Sequence, residues 1–92
     1  MKFMSTWTVL PATLKETVNR FLAGQGQPPE GVTLVGRWHK ADLSGGYVLF
    51  ETSNPGAFYE SAAVWADLLK IHTVPVIEDA DAAPIMAKVF KK

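Results

Sequence analysis

Val32-Thr33-Leu34-Val35-Gly36-Arg37-Trp38-His39-Lys40-Ala41-Asp42-Leu43-Ser44-Gly45-Gly46-Tyr47-Val48-Leu49-Phe50-Glu51-Thr52 decides the fold. It holds two runs of period two. Val32 to Lys40 places Leu34, Gly36 and Trp38 on one face and Val35, Arg37 and His39 on the other. Gly46 to Thr52 places Tyr47, Leu49 and Glu51 opposite Val48, Phe50 and Thr52. Alternation with β-branched and aromatic residues is the signature of a strand. The turn-rich Ala41-Asp42-Leu43-Ser44-Gly45 between them is a hairpin connection.

What flanks the hairpin completes the pattern. Upstream, Lys2 to Val9 alternates as a strand, with Phe3, Ser5, Trp7 and Val9 on one side. Pro11 suits the first turn of a helix that runs to about residue 23. Leu14, Val18, Phe21 and Leu22 form its apolar stripe, and Gly24 stops it. Thr13 and Glu16 have the spacing of a capping box, a second way to start the same helix. Gln25 to Gly31, with Pro28-Pro29, is a stiff loop. Downstream, Asn54-Pro55 announces a helix with Asn as N-cap and Pro at N1, its stripe made of Phe58, Ala62, Trp65 and Leu69. Ile71 to Glu78 reads as a final strand, and Pro75 places it at a sheet edge or a bulge, because proline cannot donate to a ladder. Asp79 or Asp81 is the expected cap of a terminal helix with Ile85, Met86, Val89 and Phe90 on its apolar side.

The order strand, helix, strand, strand, helix, strand, helix is the βαββαβ pattern of a ferredoxin-like α+β sandwich with an extra C-terminal helix. One such domain accounts for residues 1–92. In this fold the helices cover one sheet face and leave the other bare. A half-solvated antiparallel sheet shows polar residues on its bare face, yet both faces of nearly every strand here carry large apolar side chains. Something is expected to cover the second face. The candidates are a second copy of the sheet, which makes a homodimer, and the C-terminal helix.

Composition narrows the function classes. The chain has 92 residues and 10.1 kDa, with 48% hydrophobic residues. Size scaling for a folded monomer gives about 5,300 Å² of surface and about 64% of the chain's surface buried, enough for one modest core. Nine basic and nine acidic residues leave no net charge, so there is no basic face of the kind nucleic-acid binding requires. The densest basic cluster, Lys88, Lys91 and Lys92, reads as favourable charge at a helix C-terminus. The absence of cysteine excludes disulfides, thiolate metal sites and a cysteine nucleophile. No apolar run approaches the roughly 18 residues that span a bilayer, and Met1 to Trp7 lacks the apolar core of a signal peptide. A cytoplasmic protein without membrane or nucleic-acid partners is expected.

Five short stretches, taken together, carry a resemblance. Lys2-Phe3-Met4, Ala41-Asp42-Leu43-Ser44, Leu49-Phe50-Glu51-Thr52 with Asn54-Pro55, Trp65-Ala66-Asp67-Leu68 and Pro75-Val76 resemble a family of short bacterial proteins catalogued as domain of unknown function 3303. That family resembles dimeric α+β barrel proteins, in which two ferredoxin-like units pack sheet to sheet. The wider group includes small monooxygenases, haem-handling enzymes and muconolactone-isomerase-like enzymes. The resemblance therefore implies a fold and a homodimer, but brings no activity with it.

Few residues remain that could carry chemistry. His39, near the end of the second strand beside Trp38 and Arg37, has the chemistry of a general base or a single metal ligand; the plain alternative is a strand-end histidine in water. His72 is open to the same plain reading. Haem needs a histidine on a helix or loop facing a large apolar pocket, and neither strand position is expected to meet that. Glu51, in a strand expected to be central, is either a polar handle in a pocket or a structural partner of Arg37 or His39. Trp7 and Trp38 could line a cavity or an interface, whereas Trp65 lies on a core stripe. Phosphate-cradling glycines, a nucleophile elbow and a calcium loop are all missing. No cofactor and no metal site are expected. Two functions stay open. One is a module that binds a small apolar or aromatic ligand between sheet and helices through Trp38, His39, Tyr47, Glu51 and Tyr59. The other is a cofactor-independent monooxygenase- or isomerase-like enzyme of the dimeric α+β barrel type, with His39 and Glu51 as candidate catalytic groups.

Overall fold

The computed structural model describes residues 1–91. Four strands, β1 (Lys2–Val9), β2 (Val32–His39), β3 (Gly45–Thr52) and β4 (Leu69–Val76), form one antiparallel sheet in the order β2-β3-β1-β4. Helix α1 (Leu14–Arg20) enters through a 3₁₀ turn at Pro11–Thr13 and leaves through a π-type turn at Phe21–Gln25. Gly24 breaks the helical path within that turn at φ +85°, a conformation costly for any residue with a Cβ. Helices α2 (Pro55–Trp65) and α3 (Asp79–Phe90) complete the chain. The fold is the expected ferredoxin-like α+β unit with a C-terminal helix.

The local chemistry explains the boundaries. Asn54 caps α2, its Oδ1 accepting the Gly56 N–H at 3.1 Å, and Pro55 occupies the first turn. Thr52 locks the approach to that cap: its hydroxyl donates to the Gly31 carbonyl at 2.8 Å and accepts from Asn54 N–H at 2.9 Å. In the β2–β3 turn Asp42 Oδ1 accepts both the N–H (3.0 Å) and the hydroxyl (2.6 Å) of Ser44. These bonds, the hydroxyl's foremost, hold the Asp42 carboxyl below its usual range. Strand β4 lies at an edge, where Pro75 costs no central ladder bond.

Three local expectations fail. The Thr13–Glu16 capping box does not form: Thr13 Oγ1 donates instead to the Leu10 and Leu68 carbonyls at 3.0 Å each, and Glu16 pairs with Arg20. Strand β4 starts at Leu69 rather than Ile71 and ends at Val76. Helix α3 is capped by Glu78 backbone without a side-chain bond, so Asp79 and Asp81 sit in its first turn as favourable charge. At its other end Lys88 is in the last turn and Lys91 is the C-cap, while Lys92 lies outside the described residues.

The core is small. Val32, Phe50 and Leu68 are its buried apolar residues, and Phe50 stacks between Phe3 (5.3 Å) and Phe58 (4.0 Å). Accessible surface is 6662 Å², so a little over half of the chain's surface is buried rather than the expected 64%. Two regions contribute to the shortfall. The sheet face away from α1 and α2 is bare, with Trp38, Tyr47 and Val74 40–55% exposed. Every residue of α3 except Ala82 is exposed, including Phe90 at 82%. The C-terminal helix therefore does not cover the bare face.

Candidate functional site

Pairing of β2 with β3 contains one irregularity, and it builds the site. Leu34 pairs with Phe50 and Gly36 with Leu49, so Val35 is an extra residue, a β-bulge. The bulge shifts the parity of the strand. Leu34, Arg37 and His39 now share the face that looks toward the helices, while Gly36 and Trp38 turn outward. Strict alternation had put Leu34 and Trp38 together; the bulge separates them.

On the helix side of the sheet lies a cavity of about 360 Å³. Ser5, Trp7, Val48 and Ile71 form its floor, and α1 and the loop after it form one wall through Leu14, Thr17, Val18 and Phe21. Trp65 and Ala62 close it from α2, and Arg37, His39 and Lys40 contribute from β2 and the residue after it. The α1 stripe that periodicity assigned to the core lines this space instead. Leu14, Val18 and Phe21 each stay 37–38% exposed, because they face a void rather than the sheet.

Aromatic edges organise the cavity wall. The His39 ring meets Trp7 edge-on at 5.5 Å and Phe21 edge-on at 5.3 Å, and the Arg37 guanidinium lies 5.4 Å from the Phe21 centroid. Arg37 Nη2 also donates to the Gly26 carbonyl. Trp7 has room because residue 46 is glycine: a Cβ there would come within 2.5 Å of the indole and 2.3 Å of the Trp38 carbonyl. Ser5 is buried and its hydroxyl shares a 2.9 Å hydrogen bond with Thr73. Thr17 is buried with a hydroxyl that has no partner among the described residues.

α1 and α2 are held together from outside the cavity. Arg20 bridges to Asp67 at 3.1 Å and Glu16 at 3.3 Å and lies 5.9 Å over the Trp65 ring. These contacts raise the Arg20 pKa, the Asp67 hydrogen bond most of all.

The five residues expected to share a pocket do not meet in one place. His39 is in the cavity wall. Trp38 and Tyr47 pair across the strands on the bare face, where the Trp38 indole lies across Gly36. Glu51 is on that same face, exposed, and makes no pair with Arg37 or His39, which point to the other side. Tyr59, 77% exposed, borders a wider cleft of about 730 Å³ on the far side of α2, lined almost wholly by apolar groups such as Phe3, Phe58 and Ile71. His72 is exposed on the bare face. Sequence reading missed Arg37, Thr17 and Ser5 as cavity residues. The α1 spacing of Thr17 between Leu14, Val18 and Phe21 was the available signal for one of them. Among the described residues no group of three or more His, Cys, Asp or Glu gathers as a metal site, and no helix is long and apolar enough to cross a membrane.

Comparisons with known proteins agree with this architecture. A family described as Domain of unknown function (DUF3303) matches residues 1–90. No curated protein matches the chain. Among solved structures, the chain resembles 5-chloro-2-hydroxyhydroquinone dehydrochlorinase from Burkholderia phenoliruptrix AC1100, in complex with 2,5-dihydroxybenzoquinone. The TM-score is 0.58 at 12% identity, covering 88% of this chain and 98% of that one. It also resembles a candidate antibiotic biosynthesis monooxygenase from Deinococcus radiodurans, with TM-score 0.47 at 15% identity, covering 85% and 94%. At these identities the likeness is one of fold.

Proposed function

This chain belongs to the family described as Domain of unknown function (DUF3303), and for it we propose a module that binds a small, largely apolar ring molecule in the cavity between the sheet and α1. One observation carries the reading: the apolar stripe of α1 lines an open space of about 360 Å³ instead of packing on the sheet. That volume is in the range of small-molecule sites, which combine apolar walls with a few placed polar groups. Arg37, His39 and Ser5 are such groups here. The fold neighbour whose structure holds a dihydroxybenzoquinone agrees with a planar ligand.

Binding without turnover is favoured over catalysis. A general base works through a hydrogen bond to the proton it takes and a group that fixes its orientation. His39 is flanked by the edges of two aromatic rings, and Glu51 lies on the other face of the sheet. The pair therefore cannot act together within one chain.

The unit proposed to act is a homodimer, with the bare face of the sheet and α3 covered by a second copy. Trp38, Tyr47, Val74 and the α3 residues Ile85, Met86 and Phe90 are exposed in the single chain, and exposed apolar side chains of this kind support an interface.

The test is a thermal-shift panel of small aromatic and quinone-like compounds. A true ligand raises the melting temperature in proportion to the logarithm of its concentration above Kd. Val18→Trp, which fills the cavity from α1, is expected to abolish the shift while the protein still folds. Tyr59→Ala, at the other cleft, is expected to leave it intact. A full response in Val18→Trp would place binding elsewhere and overturn the reading.

A further inference from the structure

The cavity carries a charge that the chain as a whole does not. The protein has nine basic and nine acidic residues. The cavity wall holds the Arg37 guanidinium and the His39 ring and, among the described residues, no aspartate or glutamate; Lys40 borders it, but its ammonium lies 5.6 Å from the Tyr47 ring, on the bare face. Arg37 is half-buried there and takes part in none of the ion pairs among the described residues, which are Lys2–Glu78, Arg20–Glu16 and Arg20–Asp67. It has one hydrogen bond, to the Gly26 carbonyl, and the Phe21 ring beside it. Four of its five N–H donors thus have no protein acceptor among the described residues.

The contrast with Arg20 is informative. Arg20, its side chain 25% exposed, has two carboxylates. Arg37 is likewise partly withdrawn from water, and has none among the described residues. Burial pushes its pKa down with no neighbouring carboxylate to offset the effect. Deprotonation is not available to a guanidinium, so the charge stays and its desolvation is uncompensated within the chain.

We propose that Arg37 receives the anionic oxygen of the ligand, so that the cavity selects a planar aromatic acid, a carboxylate or phenolate, over its neutral counterpart. The guanidinium fork matches a carboxylate in two parallel hydrogen bonds, and the ring of such a molecule fits the space walled by Trp7, Val18 and Phe21. This inference rests on the cavity being the binding site. It adds the charge of the ligand.

A matched pair of probes separates the two claims. 2-Naphthoate and 2-naphthamide have nearly the same shape and differ in charge. Titration calorimetry at pH 8 is expected to show naphthoate binding the native protein roughly ten- to hundred-fold more tightly, the range of a hydrogen bond to a charged group. Arg37→Gln is expected to bring the two within about three-fold of each other, chiefly by weakening naphthoate, and Lys40→Gln is expected to keep the preference. Equal affinities in the native protein overturn the charge selection and leave the cavity reading in place; that arm decides even if Arg37→Gln fails to fold. A preference lost in Lys40→Gln but kept in Arg37→Gln removes the role from Arg37. Binding of neither probe at millimolar concentration overturns both claims.

Discussion

At the scale of single residues, two buried hydroxyls make opposite forecasts. Thr17 Oγ1 is buried without a partner among the described residues, and an unpaired buried hydroxyl is destabilising. Thr17→Val, nearly isosteric, is expected to leave stability unchanged or raise it by about 1 kcal/mol in urea unfolding. A loss above about 1 kcal/mol would mean the hydroxyl is satisfied in solution. Ser5 is its counterpart: its hydroxyl is bonded to Thr73, and Ser5→Ala orphans that partner. A loss of about 1–2 kcal/mol is expected in the same measurement. Neither hydroxyl could be sorted from sequence. The residues are small and polar, and only the register Ser5↔Thr73 pairs one of them.

Among the elements, α3 is the one whose state the isolated chain does not explain. It is 12 residues long, carries Pro84 inside, and exposes nearly its whole surface. Helices of that length are marginal in water without tertiary packing, and an internal proline costs about 3 kcal/mol more. The proposed homodimer would supply a surface to hold it. Amide exchange over residues 85–90 is therefore expected to slow as protein concentration rises through the range of self-association. Equally fast exchange at all concentrations would exclude α3 from the interface. Strand β2 shows the other limit of sequence reading. Its existence and length were legible from alternation, but the bulge at Val35 was not. Gly36 could have hinted at it, since glycine within a strand often marks a bulge. That one extra residue decides that Arg37 and His39 enter the cavity and Trp38 leaves it.

On the scale of the whole molecule, the single chain is more extended than a compact chain of its length. Its radius of gyration is 15.8 Å, with extents of 54 × 29 × 18 Å, whereas a compact chain of this size has about 12 Å. Its 6662 Å² of surface exceeds the monomer expectation by about 1,400 Å², more than the roughly 800 Å² that each partner contributes to a standard interface. Light scattering is accordingly expected to give twice the 10.1 kDa chain mass at micromolar concentration; a monomer at high micromolar concentration would defeat the homodimer. The sequence by itself determined the order of elements and the caps at Asn54 and Gly24, and narrowed β4 to an edge or a bulge. All of these follow from local rules: residue periodicity, capping chemistry and proline's missing donor. Only the tertiary structure decided which residues share a site. A bulge reverses strand parity without changing composition. A helix stripe looks the same in sequence whether it meets a sheet or lines a void. The missing counter-charge of Arg37 is a statement about distance, which a neutral total cannot reveal.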